Sequence, residues 1–193
     1  LSKKYPHEMP LEHLRTYYPL LGAQRILRIF EEETSHRFCH EKSHNVGIVV
    51  YENEKNLQKA IELCGNGCTG GCMHGIFYAI GGQGTTEAHD HGDGNFHVHS
   101  ISQDEIISTL LEMCTEKLVY ITGLDIGNCY HGLGHGFVAV TDFNHEKALQ
   151  ACEHLYPIGG EHAEYNCAYG AVMEYFSPRN PNQVNASCES FVL

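Results

Sequence analysis

Apolar residues recur along most of this chain at intervals of three and four, the period of a helix with one buried face. Leu20, Leu21, Ile26, Leu27, Ile29 and Phe30 form one such face, with Pro19 near its start. Thr34 and Ser35 offer caps for a second helix running to about Tyr51. Leu57, Ala60, Ile61 and Cys64 repeat the face. Ser102 with Glu105 has the spacing of a capping box ahead of Ile106, Ile107, Leu110, Leu111 and Cys114. Asn144 stands where a cap is needed before Ala148, Leu149, Cys152 and Leu155. The pattern predicts an all-α fold.

Three of these amphipathic helices end in or near cysteine, at Cys64, Cys114 and Cys152, and each is followed by a loop and a stretch of small residues. Those stretches share a signature: Cys72-Met73-His74-Gly75, Cys129-Tyr130-His131-Gly132 and Cys167-Ala168-Tyr169-Gly170, with Cys39-His40 as a diverged fourth copy. The step is 33 residues from Cys39 to Cys72, 57 to Cys129 and 38 to Cys167. The long middle step holds a segment rich in Gly, His and Asp, residues 81–103, whose removal restores a unit of helix-turn-helix length. The expectation is one domain over residues 1–193, built from about four disulfide-stapled helical hairpins packed as a short solenoid or a closed bundle. The glycines after each Cys-x-His let neighbouring helices approach closely. Residues 81–103 read as a surface-loop insertion, and residues 177–193 as an irregular, Pro- and Asn-rich tail tied down by Cys188.

Composition narrows the function. The 193 residues carry a formal net charge of −12, which argues against nucleic acid and anionic membrane surfaces as partners, since both call for clustered Lys and Arg. No run approaches the ~18 apolar residues of a membrane span. Nine cysteines and fifteen histidines are the unusual entries. Cysteine at this density points to an oxidising compartment, to metal, or to both. The glycosylation triplet Asn185-Ala186-Ser187 agrees with an extracellular or periplasmic location, as does a chain that starts at Leu1, where a removed leader would end.

The histidines carry the chemistry. His40-Glu41-Lys42-Ser43-His44 puts two imidazoles one helical turn apart on one face. The string resembles the HExxH motif of zincin metallopeptidases, in which the two histidines bind zinc and the glutamate is the general base. The resemblance implies His40 and His44 as ligands and Glu41 as the catalytic residue if the protein is an enzyme. Gly47 suits the longer metzincin form, but Val50 stands where that form has its third histidine. His131-Gly132-Leu133-Gly134-His135 repeats the spacing of four. Packing of repeat copies side by side would bring both pairs together, with His74 as a fifth member and His36 extending the first stripe by one turn. The two pairs resemble, on spacing, the paired-helix copper sites of oxygen-binding proteins. Within the insertion, His89, His91, His97 and His99 form two His-x-His pairs, read either as a second metal site or as a solvated loop. Zinc is the default ion for imidazole donors without a redox partner, with copper or iron as alternatives.

Cysteine placement predicts disulfides Cys114–Cys129 and Cys152–Cys167, with Cys72 paired to Cys64 or Cys68. An odd count leaves one thiol free, ligating, or available for self-association. Three functions follow: an exported metal-binding protein, a metalloenzyme of zincin-like hydrolase or copper/iron oxidase type on the same histidines, and a disulfide-bonded assembly subunit.

Overall fold

The computed structural model describes residues 9–33, 36–82, 87–90, 96–99, 102–115 and 125–177. Among them lie eight α-helices: α1 (Leu11–Glu33), α2 (His36–Glu54), α3 (Leu57–Cys64), α4 (Gly71–Gly82), α5 (Gln103–Leu111), α6 (Ile126–Val140), α7 (His145–Glu153) and α8 (Tyr156–Tyr175). A 3-10 turn, Gly67–Gly70, leads into α4. The protein is all-α in its core, as the periodicity predicts.

Local chemistry starts four of the helices, two of them, at Ser102 and Asn144, where the sequence reading puts a cap. Asn56, Ser102, Asp125 and Asn144 each accept a backbone N–H in the first turn of α3, α5, α6 and α7, and Ser102 with Glu105 closes the full capping box. Each such cap is worth about 1 kcal/mol. Two glycines at positive φ, Gly22 (70°) in α1 and Gly160 (64°) in α8, kink their helices. The first kink corrects the reading of α1. The helix starts at Leu11, ahead of Pro19, and Gly22 resets its phase. Leu20 therefore falls off the buried face and is 77% exposed, while Leu14, Ala23, Ile26, Leu27 and Phe30 enter the core.

Helices α2, α4, α6 and α8 pack in that order, each against the next. Helix α1 covers α2, α3 touches α2 and α4, α5 lies on α4 and α6, and α7 on α6 and α8. The small-residue signature explains the tight row. A Cβ on Gly75 of α4 would overlap the His44 carbonyl of α2, and one on Gly170 of α8 would overlap the His131 carbonyl of α6. Buried Ile76, Phe77, Leu110, Leu133 and Phe137 fill the space between the row and its cover.

Four disulfides tie the layers: Cys39–Cys68, Cys64–Cys72, Cys114–Cys129 and Cys152–Cys167. The last two are the pairs predicted, and Cys72 takes Cys64 of its two expected partners. Cys188 lies outside the described residues, as do Asn185 and the tail beyond Ser177. Residues 81–103 run from the last two residues of α4 to the first residue of α5, and the described residues between the helices include paired strand as well as loop. Glu87–Asp90 pairs antiparallel with Phe96–His99, with His89 opposite His97 and Glu87 opposite His99. His91 lies outside the described residues.

Candidate metal centre

Five imidazoles converge at the middle of the helix row. His40 and His44 come from α2, His74 from α4, and His131 and His135 from α6. His40 is half-buried and the other four are buried. The rings form a closed circuit: His40 to His44 4.9 Å between centroids, His44 to His135 4.7 Å, His135 to His131 5.0 Å, and His131 back to His40 6.2 Å. His74 caps this circuit at 4.9 Å from His40, 5.6 Å from His44, 4.8 Å from His131 and 5.3 Å from His135.

Donor atoms meet as well as rings. His40 Nε2 and His44 Nε2 are 3.2 Å apart, and so are His131 Nε2 and His135 Nε2. Two nitrogens bound at ~2.0–2.1 Å to one tetrahedral zinc ion stand ~3.3 Å apart, so each helical pair has the separation of two ligands on one ion. Ligand atoms of His40, His44 and His74, and of His74, His131 and His135, each lie within 4.8 Å of one another. His74 belongs to both of these triads, and a third group, His44, His135 and Glu174, meets the same limit.

Partners outside the cluster aim the lone pairs inward. His135 donates its Nδ1–H to Glu174 Oε2 of α8 at 2.8 Å, and both side chains are 1% exposed. His74 donates its Nε2–H to the Asn128 carbonyl at 2.9 Å. His40 Nδ1 lies 3.1 Å from Thr69 Oγ1, whose hydroxyl donates to the Cys68 carbonyl at 2.7 Å, so the imidazole is the donor to Thr69. Hydrogen-bonded outer nitrogens of this kind fix the tautomer of metal-binding histidines and orient the ring. Thr69 sits in a costly conformation to do this: Cys68 and Thr69 both have left-handed backbones, φ 52° and 54°. The disulfides to Cys68 and at Cys72 pin that turn from both sides.

Electrostatics favour the neutral form of His40, His74 and His131. Burial, then the charge of His135, lowers His40 to about 4, against the opposing pull of carbonyls at Cys68 and Thr69. Burial, then His135 and His40, lowers His131 to about 3. His74 is pushed well below its ordinary range by burial first and by His131, His135 and His40 after it. Neutral imidazole is the metal-binding form. One atom is left over. His74 Nδ1 is buried and has no hydrogen-bond partner, a condition that costs about 1–3 kcal/mol unless something fills it.

Five of the six central residues named from sequence thus come together. His36 opens α2, but its side chain lies outside the described residues. Glu41 does not join the cluster. It lines a pocket of about 700 Å³ that His40, His74 and His131 also line. Sequence reasoning missed Thr69 and the Asn128 carbonyl as outer partners, and it did not place Glu174 behind His135. The signal for Glu174 was its place seven residues after Cys167, a lone carboxylate on the small-residue face of α8. Tyr169 stands where the Cys167 copy lacks histidine, and its ring lies 5.2 Å from that of His131.

No family model, curated protein or solved structure matches the chain.

Proposed function

We propose that the protein is an exported metal-binding protein that holds a transition-metal ion on His40, His44, His74, His131 and His135. The observation that carries this is His74 Nδ1, a buried lone pair without a partner, capping a circuit of four imidazoles. An ion satisfies that atom and the facing Nε2 pairs at once, where hydrogen bonding alone leaves it orphaned. The donor set is nitrogen, which favours zinc, copper, nickel or iron over the oxygen-seeking calcium and magnesium. Zinc is our first choice, with copper or iron as alternatives. Four disulfides support export. No helix of the described residues is long and apolar enough to cross a membrane. Elemental analysis of protein from its native source is the test. Stoichiometric metal that is lost on His74→Ala supports the reading, and a metal-free native protein overturns it.

A metalloenzyme is the second reading, favoured by the pocket that places Glu41 beside the exposed side of the cluster. Zincin-like hydrolysis has weaker support, because Val50, where the longer motif has a third histidine, is buried in the core and the third imidazole comes instead from His74 on another helix. The pairing of His89 with His97 on one hairpin is compatible with the second metal site proposed for His89, His91, His97 and His99.

A further inference from the structure

The imidazole circuit is uneven, and its unevenness matches the pocket. Three sides measure 4.7–5.0 Å between ring centroids, whereas the His40–His131 side measures 6.2 Å. The pocket is lined by His40, His131 and the capping His74, but not by His44 or His135. The narrow His44–His135 side is backed by buried Glu174, which lies behind His135. The wide side is therefore the one that faces open space. A closed storage site calls for protein donors all round, while an ion with an accessible side retains room for an exogenous ligand.

We propose that a metal ion in this ring keeps a coordination position open between His40 and His131, and that a small molecule from the pocket occupies it. This rests on the metal-binding reading above. The pocket sets the ligand class. Its volume of about 700 Å³ exceeds the needs of a water molecule and suits a small organic molecule. Among the described residues that line it, Glu41 is the one carboxylate and none is Lys or Arg. Asn128 and Asn166 add amide side chains, and Tyr169 adds an aromatic face 5.2 Å from His131. The ion takes a lone pair, and the carboxylate and amide oxygens of the lining accept N–H or O–H groups. The ligand is thus an uncharged molecule with an oxygen or nitrogen donor beside a hydrogen-bond donor: an alcohol, amide or azole rather than a carboxylate or phosphate.

Imidazole itself has this chemistry, with one lone pair and one N–H, and serves as the probe. The protein is loaded with cobalt(II), its metal content is measured, and imidazole is titrated while the d–d spectrum is followed. The wild type should change spectrum at retained metal content. Asn166→Trp and Met173→Trp fill the pocket from α8 without touching a proposed ligand. Each should retain the cobalt and bind imidazole at least about tenfold more weakly, a shift of ~1.4 kcal/mol. Two results overturn the proposal: a wild type that keeps its cobalt and shows no response, or blocked variants that respond as the wild type does. A wild type that takes up no cobalt, and no zinc or copper in parallel, overturns the metal-binding reading itself.

Discussion

The His-x3-His pairs of α2 and α6 are alike in sequence spacing and in internal geometry, with 3.2 Å between Nε2 atoms in each, yet they are held by different means. On α6 both rings are buried, and His135 is anchored by the buried carboxylate of Glu174. On α2, His40 is half-buried at the pocket and leans on Thr69, a neutral hydroxyl on an exposed left-handed turn. That turn is fixed by disulfides rather than by charge. The same ligand pair is thus built once from an electrostatic support and once from a covalent one. The first is stiff because leaving a buried carboxylate without its hydrogen-bond donor is expensive. The second is stiff because the chain around it is stapled.

The largest effect expected from this difference is on stability. His135→Ala removes the donor to a buried carboxylate and should cost metal-free protein about 3 kcal/mol or more, read by urea denaturation. His40→Ala, with an exposed partner, should cost no more than about 1 kcal/mol in the same assay. Equal losses would abolish the distinction. Metal affinity should show the next largest effect. Glu174→Gln is expected to weaken binding ~10–100-fold in competition with a chromophoric chelator. Thr69→Val should weaken it by less than about tenfold, since one neutral hydrogen bond is worth ~1 kcal/mol. The reverse order would make the stapled turn the dominant support.

Acidity should act on both halves together. His40 and His131 have folded-state values lowered from 6.5 to about 4 and about 3. Between those values and 6.5 the unfolded chain binds the more protons, so stability falls as pH falls through that window. Metal-free protein should lose stability progressively from about pH 6.5 towards pH 4, and bound metal should leave over the same range as protons compete for the nitrogens. Denaturation midpoints and metal content at half-unit pH steps check this, and a flat profile between pH 7 and 4 would contradict it. The smallest effect should follow deletion of residues 87–99, which removes the hairpin histidines and should leave the core metal at its wild-type level. Loss of all metal on that deletion, with metal retained by His44→Ala and His135→Ala, would move the site to the hairpin.

The sequence by itself determined the helical periods, the caps at Ser102 and Asn144 and two of the disulfides, because these depend on residues close along the chain. Ser102 and Glu105 form their capping box within one turn, and a spacing of four puts His131 beside His135 in any helix. The shared Cys-x-His-Gly signature also pointed to His74 as the fifth imidazole, since equivalent positions in side-by-side helices face one seam. Only the tertiary structure decided what stands behind those rings. Thr69 and Glu174 lie 29 and 39 residues from the histidines they support, and no local period connects them. The phase of α1 was likewise hidden, because a positive φ at Gly22 is a backbone state that apolar spacing does not record. Which side of the cluster is open was decided last of all. It depends on the 6.2 Å between the ring centroids of His40 and His131, a distance set by how α2, α4 and α6 pack and not by the residues of any one.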